Sequence, residues 1–319
     1  MSTFPDQLYQ YGGTPVNGFM TTGKTYFVKP STGSNGSSGK SPSKAFATLA
    51  KAQSVASADK GDVVYMVAES NTAASTTDYQ SAALDWAKDG VHLIGIGAGP
   101  FMGQRSRIAQ LSTATNVDNL FTLSADNCYV ANIEVYHGVA DATSKIAMLV
   151  SGQRNRIERS QISGAGHATM DTADNPSLKI TGSENYFYKN YIGLDTIIRA
   201  TSAYEVDITS AARTVLDECM VNSYTSGSTF KALSITSIDR FVLLKNCILC
   251  AVQGITSSVA PTGAIATATL NGQVWMIGGG VFGYADVTTA DNSAVLVLTH
   301  SGLAANVVDQ GVAKGTDVA

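Results

Sequence analysis

A recurring set of apolar positions constrains this 319-residue chain more than anything else in it. Aligned on Val130, Ile157, Phe187, Val215, Leu243 and Met276, the chain repeats at intervals of 27, 30, 28, 28 and 33 residues. Five residues past each anchor stands another apolar side chain: Val135, Ile162, Ile192, Met220, Ile248 and Val281. Seven residues before the first four anchors stand Leu123, Val150, Ile180 and Ile208, and two residues earlier Phe121, Met148, Leu178 and Val206. Later coils keep the pattern with slips, at Leu233 and Ile235, then Ala268 and Leu270.

Alternation with period two marks a strand that buries one face. An odd separation of five between two inward residues cannot belong to one regular strand. A bend must intervene, and the polar or small residues at Asn132, Arg159-Ser160, Lys189-Asn190, Asp217-Glu218, Lys245-Asn246 and Gly278-Gly279 are suited to make it. One such coil cannot cover its own inward face, whereas stacked coils build a continuous apolar column. The fold predicted is therefore all-β: a right-handed, single-stranded parallel β-helix solenoid, clearest over residues 119–285. Propeller blades would run to roughly 40 residues per repeat with internal hairpins, which this period does not match. The domain is expected over 24–300, between an amino-terminal arm (1–23) and a carboxy-terminal tail (301–319). Ser41-Pro42 reads as a cap and first helical position, which predicts a short capping helix over 42–58. A second helical piece is expected over 82–88.

Composition narrows function. Only 14% of residues are charged, 30 are glycine, and the formal charge is −4, so no basic stripe is available to replace phosphate counterions. Arg105 with Arg107 and Arg154 with Arg156 are isolated pairs, read as solvated surface, and no nucleic-acid partner is expected. Cys128, Cys219, Cys247 and Cys250 form no disulfide framework and no paired zinc spacing, so free structural thiols and no metal are expected. No apolar stretch reaches the roughly 20 residues a bilayer requires, and the first residues lack signal-peptide organisation. The reading is a chain with no membrane partner, made in the cytoplasm.

The acids scatter relative to the repeat. The densest local group is His167, Asp171 and Asp174 in one inserted loop, a candidate catalytic or metal-binding trio weighed against an exposed loop. His92, His137, His167 and His300 fall on different coils, with His92 read as a packing residue inside a strand. Gly95-x-Gly97-x-Gly99 is followed by Pro100 rather than a helix, so no nucleotide or other cofactor is expected. Outward tyrosines such as Tyr136 and Tyr188 suit sugar stacking or a subunit interface.

Residues 26–67, with a Gly/Ser-rich passage, F-x-T-L and G-D-x-V-Y, resemble the entry segment of pectin-lyase-like right-handed β-helices, and the coils NRIERSQISG and NYFYKNYIG resemble the same class. The polygalacturonase-like Asn-Thr-Asp, Asp-Asp, Gly-His-Gly and Arg-Ile-Lys elements are missing, with Gly166-His167 only a fragment of the third. DRFVLLKNCIL, APTGAI and MIGGGVFGYADVTTADNSAVLVL resemble capsid-associated structural proteins of tailed bacteriophages. That resemblance implies a non-enzymatic virion component decorating or stabilising the capsid. Its partners would be its own copies, as a homotrimer covering Tyr136, Leu216 and Leu244, and the major capsid protein. The alternative is a tailspike-like or tail-fibre protein that binds or cleaves host surface polysaccharide.

Overall fold

The computed structural model describes residues 21–68, 77–80, 82–97, 106–111, 113–201, 204–253, 260–288, 295–298 and 312–314. Residues 1–20 of the arm, Gly99, Pro100, Arg105, His300 and the tail apart from 312–314 lie outside them.

Each coil places one strand in each of three sheets. Asn119–Leu123 lies in sheet C, Tyr129–Ala131 in sheet A and Glu134–Tyr136 in sheet B, and Ile146–Val150 returns to sheet C one coil later. Among the described residues sheet A has 11 strands, sheet B 8 and sheet C 7. Successive coils pair in parallel, so the fold is the all-β parallel β-helix that the periodicity predicts. Among the described strands only the last pair differs: Val295–Leu298 runs antiparallel to Val312–Lys314 at the end of the sheet A order.

The inward column of sheet A runs Val130, Ile157, Phe187, Leu216, Leu244 and Met276. All six are at most 2% exposed. Two anchors were thus displaced by one residue, because Val215-Leu216 and Leu243-Leu244 are apolar at both parities. Inward positions in sheet B shift with them, to Val221 and Leu249 in place of Met220 and Ile248, and Ile248 is exposed. In the sixth coil Ile265 and Thr267, not Ala268 and Leu270, align with Leu233 and Ile235.

The constant element is the bend. Asn132, Arg159, Lys189, Glu218, Asn246 and Gly278, each two residues past the true inward anchor, all have φ between 48° and 67°. This left-handed conformation turns the chain from sheet A into sheet B at the same place in every coil. Inside the bend, Asn190 Nδ2 donates to the Ile157 carbonyl (2.9 Å), and its Oδ1 accepts from Ser160 N (2.9 Å). Asn155 and Asn185 make an equivalent ladder where sheet C passes into sheet A.

The capping helix is shorter than expected. Residues Pro42–Lys44 form a 3-10 turn, and the α-helix covers Leu49–Val55, capped by Thr48, whose hydroxyl accepts from Lys51 N. Between the two, Phe46 bridges Val28 in parallel and its N–H bonds Phe27 O (2.8 Å), which holds that stretch extended. Leu49 and Ala52 then cover the first coil. Residues 82–88 are not helical, because Leu84–Trp86 is a strand of sheet C with Leu84 and Trp86 in the core.

Candidate functional site

The longest connection between sheet B and sheet C among the described residues, residues 164–177, carries the expected trio. The three side chains do not converge. His167 is exposed and its Nδ1 accepts from Thr169 N (3.2 Å), starting a 3-10 turn over Ala168–Met170. Asp171 turns the other way, accepting from the backbone N–H groups of Ala200 and Thr201 (2.8 Å each) and lying 3.7 Å from Arg199 Nε. Asp174 is exposed and acts electrostatically on Tyr204. Spacing along the chain suggested one cluster, but a single 3-10 turn between His167 and Asp171 does not bring i and i+4 onto one face as an α-helix would.

What fixes this loop is a buried hub that sequence reasoning missed. Arg199, 2% exposed, donates from Nη1 to both oxygens of Glu205 (3.3 and 3.4 Å) and from Nη2 to the Asn175 carbonyl. Glu205, fully buried, also accepts from the hydroxyls of Ser177 and Ser223. The carboxylate fits because residue 193 is glycine: a Cβ there would meet Asn222 O at 1.9 Å and Glu205 Cδ at 3.1 Å, and its φ of +106° excludes most side chains. With every charge paired, the hub is structural. It clamps the loop onto the following coil and leaves the loop-side edge of sheet C beside it.

That edge gathers a reactive set. Lys179 and Asp207 are register partners whose Nζ and Oδ2 lie 3.0 Å apart, and Thr209 Oγ1 donates to Asp207 Oδ1 (2.8 Å). Tyr204 and Lys231 are register partners on the next pair of coils, and Lys231 Nζ donates to Thr262 Oγ1 (3.0 Å). Burial pushes the Lys231 amine below its ordinary value. Burial, then the carboxylates of Asp207 and Asp174, push the Tyr204 phenol up. A lysine that sheds its proton early thus stands beside a tyrosine that keeps its own. No sequence motif announces this pair, because the two residues are 27 positions apart and meet only through the stacking.

The outer face of sheet A is arranged differently. Tyr129 donates to Glu158, which also pairs with Arg156 (2.8 Å) and Arg159 (2.5 Å). Two coils on, Tyr186 donates to Asp217 (2.7 Å), which pairs with Lys245 (2.9 Å). Along the preceding turn Arg154, Glu184 and Arg213 alternate in charge, and across the bend Lys189 pairs with Glu218. Glu158 and Asp217 stand two coils apart with Tyr188 between them, ~10 Å at the strand spacing of a sheet. Both are nearly buried, at 3% and 5% side-chain exposure, and each is paired with a cation and a phenol, Asp217 through Oδ2, so they serve as anchors for their neighbours.

The remaining candidates are structural. His92 is buried, accepts from Tyr129 N through Nδ1 (3.0 Å), and is lowered to about 4 by desolvation. Cys128, Cys219 and Cys247 are buried free thiols, and burial pushes Cys128 and Cys219 up to about 12, far from nucleophilic. Cys250, only partly buried, belongs to no ligand cluster. Among the described residues no three His, Cys, Asp or Glu side chains are grouped to hold a metal ion, and no helix is long and apolar enough to cross a membrane.

No family model matches the sequence, and no curated protein matches it. The fold does match solved structures. A rhamnogalacturonan lyase aligns with a TM-score of 0.55 at 16% identity, over 81% of this chain and 70% of that one. Pectate lyase Pel9A aligns with a TM-score of 0.51 at 10% identity, over 87% of this chain and 79% of that one. A pectin methylesterase from Aspergillus niger covers 94% of this chain and 96% of its own, with 14% identity and a TM-score of only 0.43. At these identities the likeness establishes the right-handed parallel β-helix itself. It also corrects the expectation of a non-enzymatic, homotrimeric virion protein partnered with a capsid: the structures it matches here are lyases and a methylesterase by name. The physical support for the trimer falls as well. Leu216 and Leu244, expected on an outward patch, are buried in the chain's own core, and Tyr136 donates to Gly166 O under the Arg107 guanidinium.

Proposed function

We propose that this chain is a carbohydrate-active enzyme that cleaves an acidic polysaccharide by β-elimination at the loop-side edge of sheet C. The observation that carries the reading is the Lys231–Tyr204 pair, an amine lowered by burial in register with a phenol held neutral. Elimination from a uronate unit needs three things, and each has a residue. Lys179, two coils away on the same edge, adds positive potential for the carboxylates of the polymer. Lys231, in its unprotonated form, takes the proton from the carbon next to the sugar carboxylate, and the electron pair forms a double bond as the glycosidic C–O bond breaks. Tyr204 protonates the departing oxygen. Two solved structures that align above a TM-score of 0.5 are lyases by name, which supports the same reaction class.

Incubating the protein with polygalacturonate and with rhamnogalacturonan tests the reading. Ultraviolet-absorbing unsaturated ends should appear with at least one of them. New reducing ends without unsaturation would replace elimination by hydrolysis, and no product from either polymer would overturn the assignment.

A further inference from the structure

We propose that the outer face of sheet A is a second, non-catalytic platform that holds an extended acidic polysaccharide along the helix axis. The proposal takes its ligand class from the polysaccharide reading but does not depend on where cleavage occurs.

Two observations carry it. The first is a pair of aromatic stations on one line. Tyr186 and Tyr188 stack with centroids 6.2 Å apart, and the Arg156 guanidinium lies over both rings at 5.4 and 5.9 Å. Phe241 and Trp275 stack at 4.9 Å with planes only 5° apart. Tyr186 and Trp275 occupy the same register column, through Val215 and Leu243, three coils apart. That is ~14 Å at the strand spacing, and one coil height is close to the length of a single sugar in an extended chain. Rings three coil heights apart can stack sugar faces three units apart along one chain, with the Trp275 N–H already satisfied by Gln273 Oε1 (3.0 Å).

The second observation is charge. The ion-pair ladder described above holds six basic side chains against four acidic ones, a local balance of +2, whereas the whole chain carries −4. Arg154, Arg156, Arg213 and Lys245 each keep about half of their side-chain surface exposed while paired. The carboxylates are the more buried partners and the cations face outward, so the surface offered to a ligand is more positive than the count implies. Neutral glycans would gain only the stacking, whereas a polyuronate gains both contributions.

Affinity electrophoresis and calorimetry with long polygalacturonate and alginate as acidic polymers, and dextran as a neutral one, provide the test. The Lys231→Met variant removes turnover and isolates binding. In that background Tyr188→Ala and Trp275→Ala should each weaken binding of the acidic polymers roughly tenfold. Arg156→Gln, at an exposed position, should weaken it and flatten its salt dependence. In the wild-type background the two ring variants should leave cleavage of a short soluble oligouronide unchanged. Unaltered polymer binding in a Tyr188→Ala/Trp275→Ala protein with wild-type melting would overturn the platform. Equal binding of dextran would overturn the acidic ligand. Failure of elimination alone, with polymer binding intact and sensitive to these variants, would remove the catalytic reading and leave the platform standing.

Discussion

The outer faces of sheets A and C obey the same stacking rule and use it oppositely. On sheet A Glu158 and Asp217 each meet cations and a phenol from their own or neighbouring coils, and the face becomes a ladder of paired charges with cations in excess. At the edge of sheet C, Lys231 has a hydroxyl for a partner instead of a carboxylate, and burial lowers its proton affinity. A solenoid satisfies charge by repetition, so a coil that breaks the repetition is where chemistry can reside. The insertion at 164–177 and the Arg199–Glu205 hub create that break.

The contrast is broken most completely by removing the amine. Lys231→Met should lower the elimination rate by roughly 10²–10⁴-fold, the ordinary contribution of a positioned base. Binding of long acidic polymer should remain. The wild-type rate should rise with pH as Lys231 loses its proton, with a midpoint below that of an exposed lysine. Steady-state rates across pH check both statements, and a rate unaffected by the substitution removes Lys231 from the reaction.

The hub ranks next. Arg199→Met leaves Glu205 buried without its cation, which costs about 3–5 kcal/mol. Urea unfolding reads the loss. Limited proteolysis should cut within 164–177 before the coils open, because Asp171 and Asn175 lose the same partner. An equally protected loop would show that the hub does not hold the insertion.

Register gives a smaller and more local test, and it also separates what the sequence makes legible from what it does not. Leu216→Ala should cost about 2–5 kcal/mol, while Val215→Ala, on the outward half-buried side, should cost much less. Denaturant midpoints of the two variants decide the parity. The repeat, the parallel stacking and the helical entry are all readable from apolar spacing, because a core column imposes its period on the chain. Parity in the fourth and fifth coils is not readable from that spacing, since adjacent apolar residues fit either face. It is readable from the bend, whose polar residue, or glycine at 278, sits two past the inward anchor. The site is least legible. Lys231 and Tyr204, or Arg199 and Asp171, become neighbours only through coil height and loop path, and a loop of small residues carries no period from which that path could be inferred.

Histidine burial supplies the smallest expected effect and contrasts the two sides of the helix once more. His92, on sheet A, has a backbone N–H as a partner, whereas both ring nitrogens of His137, at the start of the loop that leads to sheet C, lack one within hydrogen-bonding geometry among the described residues. Desolvation lowers His137 to about 4, outweighing the carbonyls of Ile146 and Lys145 and the Asp141 carboxylate, which favour the charged form. The unfolded chain therefore binds a proton near pH 6.5 that the folded chain refuses until about 4. Stability contributed by the neutral ring is complete above 6.5 and is lost as pH falls through that window, at no more than about 1.4 kcal/mol per pH unit for each histidine. Asp141, held below the usual carboxylate range first by Ser144 and then by Thr143, stays charged throughout and does not mask the effect. His137→Phe should flatten the pH dependence of the urea midpoint between 6.5 and 4 by one proton's worth, leaving the share due to His92. An unchanged slope would mean that the folded protein protonates His137 as readily as the unfolded chain does.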